Sequence, residues 1–402
     1  MAREMKDSGI EWIGEIPESW IVKKLKYCTS FVQEKYSIEN GDLPYIGLEN
    51  IISWTGNFIA TGSVYDRTES ILFSTNDILF GKLRPYLAKV YHAQKEGCCS
   101  SEFCVIRVSA PYDSRYFWNL LISSEFISTV DRSTYGTKMP RANADYIKNI
   151  RVPVPPEDEQ IRISHYLDSE CSRIDSVIEQ TRASIEQYKK LKQAVITQAV
   201  TKGIRPNREM KDSGVEWIGK IPVDWNILAL KYLCTMQSGK NLVSEQITET
   251  GAYPVYGGNG QRGFFDEYNC EGKRLLVGRQ GALCGNVHRV DGKFWATEHA
   301  VVTENTRFCD MDFLYYLLIG MNLNQYVSST AAQPGLAVST IHNVRTSLPP
   351  IDEQIEIAHY LDIKIPEINE LVEKKEAFLE ELNNYKKSLI FEYVTGKKEV
   401  PA

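Results

Sequence analysis

At 402 residues the chain is too long for one ordinary domain, and two or three domains are expected. Apolar residues at 43% and charged residues at 24% are the balance of a folded protein, and no run of about 18 apolar residues offers a membrane span. The net charge of −6 argues mildly against a nucleic-acid partner, although a basic groove can coexist with acid gathered on helices or at protein interfaces. The charged start, Met1 to Asp7, lacks an apolar secretory segment, so a cytoplasmic protein is expected. The nine cysteines include no Cys-x-x-Cys, and the adjacent Cys98-Cys99 is a poor disulfide candidate; reduced thiols packed as small apolar groups are expected.

In chain order, the first distinctive segment is MKDSGIEWIGEIPESW at 5–20. Short apolar runs broken by turns follow, and Ile71 to Phe73, Asp77 to Phe80 and Phe103 to Val108 read as strands of a mixed sheet. Lys82 and Arg84 lie in the stretch Leu79-Phe80-Gly81-Lys82-Leu83-Arg84-Pro85-Tyr86, where a glycine lets backbone approach closely and a loop presents cations. Tyr116 to Val130 reads as a helix. The loop from Tyr135 to Asn143 then gathers Lys138, Arg141 and Asn143. After Pro155-Pro156 glycine and proline become scarce. Leu167, Cys171, Ile174, Ile178, Ile185, Tyr188, Val195 and Ala199 follow a four-and-three step, with polar Thr181 and Lys192 at two of its positions. A stripe of period 3.5 is a coiled-coil seam, on a helix of about 40 residues, or about 60 Å.

The same order then returns. MKDSGVEWIGKIPVDW at 210–225 matches the first segment at twelve of sixteen positions, and the segment from Pro349 matches that from Pro155 at twelve of twenty-one. The offsets are 205 and 194, so the intervening segment is 11 residues longer in the first copy: the frame is duplicated and its contents have diverged. Leu275 to Val277 and His299 to Val302 read as strands, and Met311 to Val327 as a helix. Arg279, followed by Gln280, aligns with Lys82. The counterpart of the 135–143 loop has lost its cations but keeps Gln333 and Ser339. The second stripe is Leu361, Ile365, Ile368, Val372, Leu379, Leu382, Leu389 and Tyr393, interrupted at Lys375 and Lys386, the positions equivalent to Thr181 and Lys192. Matched registers favour mutual pairing over two helices each lying on its own domain. Pro366 is expected to restart the second helix, and Gly203 and Gly396 to stop the two helices. The expected fold is α+β, with two globular mixed-sheet heads on two long antiparallel coiled-coil helices and an internal pseudo-two-fold repeat. The boundaries read 1–156, 157–204, 205–350 and 351–402.

No catalytic constellation accompanies this frame. Phosphate-binding glycine motifs are absent, and Gly257-Gly258-Asn259-Gly260 reads as a hairpin loop. The six histidines show no metal spacing, and the repeated His165 and His359 read as helix-packing or interface residues. Asp266, Glu271 and Lys273 resemble a metal-nuclease set only faintly. No Asp/Asn-Pro-Pro-Tyr/Phe segment is present to hold a methyltransferase's target base. The loop residues fit DNA contact instead, since Lys and Arg pair with phosphate or guanine, and Asn and Gln with adenine.

The paired MKDSG-x-EWIG-x-IP frames, the PP-x-DEQ segments ending in Tyr-Leu-Asp, and Leu-Phe-Gly-Lys-Leu-Arg-Pro-Tyr resemble the specificity subunits of type I restriction–modification enzymes, over nearly the whole chain. The resemblance implies a non-catalytic DNA-binding subunit of a restriction system. Its two target recognition domains would grip the halves of a bipartite, asymmetric duplex DNA site, and its helices would set the spacer and dock two modification subunits. S-adenosylmethionine, ATP and Mg²⁺ would belong to those modification subunits and to restriction subunits, with no cofactor on this chain. Carried over, Lys82, Arg84, Lys138, Arg141 and Asn143 in the first head, and Arg279, Gln280, Gln333 and Ser339 in the second, are the expected DNA contacts. The alternatives are a coiled-coil scaffold with protein-binding heads, or a stand-alone nuclease or methyltransferase.

Overall fold

The computed structural model describes residues 3–36, 43–61, 69–136, 138–280, 284–326 and 335–401. The chain forms two compact units, Met1–Thr181 with Ala377–Ala402, and Arg182–Glu376. Each unit therefore takes half of each long helix.

The first unit centres on a four-stranded antiparallel sheet in the order Thr29–Val32, Phe103–Val108, Ile78–Gly81, Val90–His92. The inner strand Ile78–Gly81 is buried throughout, as its unbroken apolar sequence requires. A smaller sheet pairs Gly97–Cys99 in parallel with Tyr45–Ile46 and antiparallel with Ile71–Phe73, so the sheets are mixed. Helix α1 (Ser114–Ile122) is capped by the Asp113 carboxylate. Helix α2 (Ser124–Arg132) follows at once and α3 (Ala144–Asn149) later. The sequence reading made one helix of α1 and α2. Ser123 separates them by taking an extended conformation, and its carbonyl starts the second helix.

The second unit repeats this plan. Its four-stranded sheet runs Cys234–Ser238, Ala300–Asn305, Arg274–Gly278, Val287–Val290, the same order of strands. Its smaller sheet gains a strand: Tyr253–Gly257 and Gly260–Phe265 form a hairpin closed by Gly258-Asn259, the turn read from the glycine cluster. Helix α5 (Met311–Gly320) is capped by Asp310, and α6 (Val338–His342) is the short counterpart of α3. The expected helix to 327 ends early, giving way to a single 3-10 turn at Leu323–Tyr326, and residue 327 lies outside the described residues.

The long helices are α4 (Glu157–Lys202) and α7 (Ile351–Val394). In the first unit Leu167, Ile174 and Ile178 of α4 share a core with Leu389, Ile390 and Tyr393 of α7. In the second, Ile196, Ala199 and Val200 share one with Ile357, Leu361, Ile365 and Ile368. Early residues of one helix meet late residues of the other in both, so the pairing is antiparallel. The polar breaks also bond across the seam. Lys386 Nζ donates to both carboxylate oxygens of Asp175 at 2.7 Å, and the repeat-equivalent Lys192 donates to Asn369 Oδ1 at 2.8 Å.

An expectation for the second long helix also fails. Pro366 does not restart α7, which runs through it unbroken. Proline removes one helical hydrogen bond and crowds the preceding turn. Here its ring is exposed while Ile365 and Ile368 on either side stay buried, so seam packing holds the helix together. Gly203 and Gly396 do end the helices, in left-handed backbone at φ 76° and 72°. A Cβ at Gly396 would lie 2.4 Å from the Pro17 ring, so contact as well as turn geometry demands glycine there.

Candidate nucleic-acid interface

The duplicated motifs first explain how each head is held to its helices. In the first unit Trp20 Nε1 donates to Glu159 at 2.9 Å, and Arg3 bonds the same carboxylate at 2.6 Å. In the second, Trp225 Nε1 donates to Glu353 at 3.0 Å and Arg208 ion-pairs with it. The next residue of each DEQ segment, Gln160 or Gln354, is buried and accepts the backbone N–H of the Asp that caps α1 or α5. The aspartates of the two His-Tyr-Leu-Asp segments grip the heads as well, Asp168 through Arg115 and Asp362 through Arg289, each at 2.8 Å. Burial works to raise the Asp362 pKa, but hydrogen bonds from Arg289 and Tyr316 outweigh it and hold the carboxyl below its ordinary range. His165 and His359 are exposed rather than packed. The frame motifs are therefore structural, and any reading surface lies elsewhere on the heads.

The candidate loops come together in each head. Lys82 follows the strand Ile78–Gly81 and is half-buried; its carbonyl accepts the Ala142 N–H at 2.9 Å, and the Arg84 N–H donates to Pro140 O at 2.7 Å. These rungs, with a bridge between Leu83 and Arg141, set the 82–86 loop beside the 138–142 loop, some 60 residues away in sequence. Arg84 is exposed and left-handed at φ 51°, a conformation that costs a non-glycine residue about 1 kcal/mol and is concentrated at functional sites. Lys138 is exposed, and Tyr86, Tyr135 and Met139 of the same two segments expose large apolar side chains. Arg141 pairs with Glu102 at 2.5 Å. Asn143 is exposed, and its Oδ1 caps α3 by accepting the Asp145 N–H at 2.7 Å.

The second head repeats the arrangement with other side chains. Arg279 O accepts the Leu336 N–H at 2.9 Å, and Gln280 bridges to Gly335. Arg279 Nη1 donates to Ser238 Oγ at 3.1 Å, and Gln280 Oε1 lies 2.9 Å from His299 Nδ1. Ser339 is exposed on α6. Gln333 lies outside the described residues. A Cβ on Gly258 would lie 2.7 Å from the His299 carbonyl and 3.5 Å from Arg279 N, so glycine is what lets the hairpin turn sit against the Arg279 loop. Sequence reasoning missed this turn's position, and missed Glu102, Glu298 and His299. The signal was available: extending the offset that sets Lys82 over Arg279 also sets Glu102 over His299.

Among the described residues no His/Cys/Asp/Glu group could hold a metal ion. Glu271 and Lys273 point to separate partners, Lys293 and Asp312. All nine cysteines are unbridged, and burial pushes the thiols of Cys99, Cys234 and Cys309 well up, which suits inert packing. No helix of the described residues is long and apolar enough to cross a membrane. The chain's acidity has a definite seat: α7 carries eleven carboxylates against five lysines, an excess equal to the whole net charge of −6. The rest of the chain, heads included, is neutral in sum.

Comparison with known proteins agrees with this geometry. The profile of the type I restriction modification DNA specificity domain matches twice, at residues 18–187 and 222–381. The specificity subunit of the Escherichia coli type I restriction enzyme EcoprrI is 46% identical over 131 residues, which is 32% of this chain and 32% of that protein. The MjaVIII specificity subunit of Methanocaldococcus jannaschii is 25% identical over 418 residues, covering 96% of this chain and 94% of that one. Two solved structures share the fold at 18% identity. One is a chain from work on complex assembly and conformational transition of the type I R-M system, with TM-score 0.76 over 95% of this chain and 99% of the other. The other is the HsdS subunit of Thermoanaerobacter tengcongensis, with TM-score 0.52 over 95% and 98%. With both heads matched and the full length aligned, the chain belongs to the specificity subunits of type I restriction–modification systems, the non-catalytic component that serves DNA recognition and complex assembly.

Proposed function

We propose that each head reads one half of a bipartite, asymmetric duplex DNA site, with residues 1–156 and 205–350 as the two target recognition domains. The observation that carries this is the rung between two loops that each head builds on the same backbone. In the first head it presents Lys82, Arg84, Lys138, Arg141 and Asn143; in the second it presents Arg279 and Gln280 with Ser339 nearby. One scaffold with two sets of donors is what two different half-sites require, because base edges are told apart by donor and acceptor pattern. Gln333 completes the proposed second set. The antiparallel helices 157–204 and 351–402 set the gap between half-sites and dock two modification subunits, with restriction subunits joining the full assembly in the cytoplasm. S-adenosylmethionine, ATP and Mg²⁺ are held by those partners. The acidic excess on α7 supports this division, since an acidic helix repels phosphate and suits a protein partner.

The test uses the specificity subunit assembled with its modification partner, with Lys82→Ala combined with Arg279→Ala. Wild type should give a footprint of two protected blocks separated by an unprotected gap, weakening as salt rises. The double variant should lose about tenfold or more in affinity for the specific site, at about 1–3 kcal/mol for each good base contact removed. Normal binding by the variant would remove these residues from the interface. One continuous block, or no protection by wild type, would contradict the two-headed reading and favour heads that bind protein.

A further inference from the structure

Both heads have a corner that the sequence motifs do not mark. It lies where the chain enters the strand Phe103–Val108 or its counterpart Ala300–Asn305. Its backbone is the same in the two heads: Glu102 O accepts the Lys82 N–H at 2.8 Å, and His299 O accepts the Arg279 N–H at 3.0 Å. From this shared position the side chains reach to the neighbouring loop. In the first head the Glu102 carboxylate holds the Arg141 guanidinium, with Oε1 2.5 Å from Nη2. In the second, His299 sits between Gln280 and Glu298, Nδ1 at 2.9 Å from the Gln280 amide oxygen and Nε2 at 3.2 Å from the Glu298 carboxylate.

Half-exposed pairs of this kind stabilise a fold little, because solvent screens them and two side chains must be held in one geometry. Their larger effect is to fix the orientation of the side chain they hold. Arg141 is 48% exposed and its partner Glu102 27%, so the guanidinium is held from one side and open on the other. Gln280 is likewise exposed beyond His299. A side chain already ordered loses less conformational entropy when it meets a ligand, and a planar group fixed in orientation discriminates between base edges better than a swinging one. The corner keeps its backbone while its side chains change from carboxylate–arginine to carboxylate–histidine–amide. Such a change at one scaffold position is what different base preferences would select.

We propose that Glu102, and His299 backed by Glu298, are positioning residues for base readout. Glu102 orients Arg141 toward the O6 and N7 acceptors of a guanine in the first half-site, and His299 orients Gln280 toward the N6 and N7 edge of an adenine in the second. This rests on the reading that the two loops face duplex DNA. The test is selection from a randomised duplex library by the subunit assembled with its modification partner, comparing wild type with Glu102→Gln, Glu102→Asp and His299→Ala. Glu102→Gln should cut the preference for guanine about tenfold at one position of the first half-site and leave the second unchanged, and Glu102→Asp should restore part of it. His299→Ala should relax one adenine position in the second half-site alone. If wild type selects a bipartite site and the variants keep every base preference, the inference is overturned and the two-headed reading stands. A uniform loss across both half-sites also overturns it, since that is the mark of a structural role. If wild type selects no bipartite site, the reading beneath the inference falls first.

Discussion

Glu353 has a side chain only 2% exposed, and its partners show how an acidic side chain is accommodated there. It accepts the indole N–H of Trp225, itself fully buried, and the guanidinium of Arg208, which also pairs with Asp224. A buried carboxylate persists only when its hydrogen bonds replace the water it has lost. Glu353→Ala would leave a buried indole donor and a half-neutralised arginine without their acceptor, and should destabilise the second unit by about 2–4 kcal/mol. Chemical denaturation of wild type and variant measures this, and a change below about 0.5 kcal/mol would show that the clamp contributes little. The repeat in the sequence marks these residues as a pair of frames, but it cannot distinguish a structural carboxylate from a reading one. That took the partners, Trp20 with Glu159 and Trp225 with Glu353, which stand 139 and 128 residues apart. Glu102 and His299 were hidden for the opposite reason: they sit in diverged segments, where the offset aligns them but no shared residue type marks them, and the backbone bonds to Lys82 and Arg279 show what the two positions have in common.

At the scale of elements, the long helices were the most legible part, because a 3.5-residue apolar period over about 40 residues admits few other readings. The lysine breaks were legible as interruptions but not as bonds. Lys386 meets a carboxylate and Lys192 a neutral amide at equivalent places, so the two should differ in consequence. Lys386→Ala should cost about 1–3 kcal/mol, since hydrogen bonds to charged groups carry that much, and Lys192→Ala about half as much. Thermal unfolding of the two variants separates them; equal shifts, or a larger one for Lys192→Ala, would contradict the assignment. Pro366 shows the limit of local rules. Its propensity says stop, but the buried Ile365 and Ile368 beside it carry more free energy than one missing hydrogen bond. The helix predicted from Tyr116 to Val130 failed in the other direction, because nothing in the apolar period reveals that Ser123 is extended.

For the molecule as a whole, net charge was the least informative quantity. The sum of −6 argued against DNA, but that excess belongs to a single helix, and the loops of the heads carry Lys82, Arg84, Lys138 and Arg279 with no share in it. The order of the sheets was legible only as a class, α+β with mixed sheets. The strand order shared by the two heads had to be seen, since their strands have diverged in sequence while keeping their pairing. That combination of constant scaffold and changed contents leads to the central claim, two heads reading two different half-sites. Its most direct measurement is a map of methylated bases across the genome of a host that carries the modification partner, with and without this gene. The account predicts that the gene adds one asymmetric motif made of two unlike specified blocks separated by a fixed unspecified gap. An unchanged map, or a motif that is continuous or has identical half-sites, would contradict it.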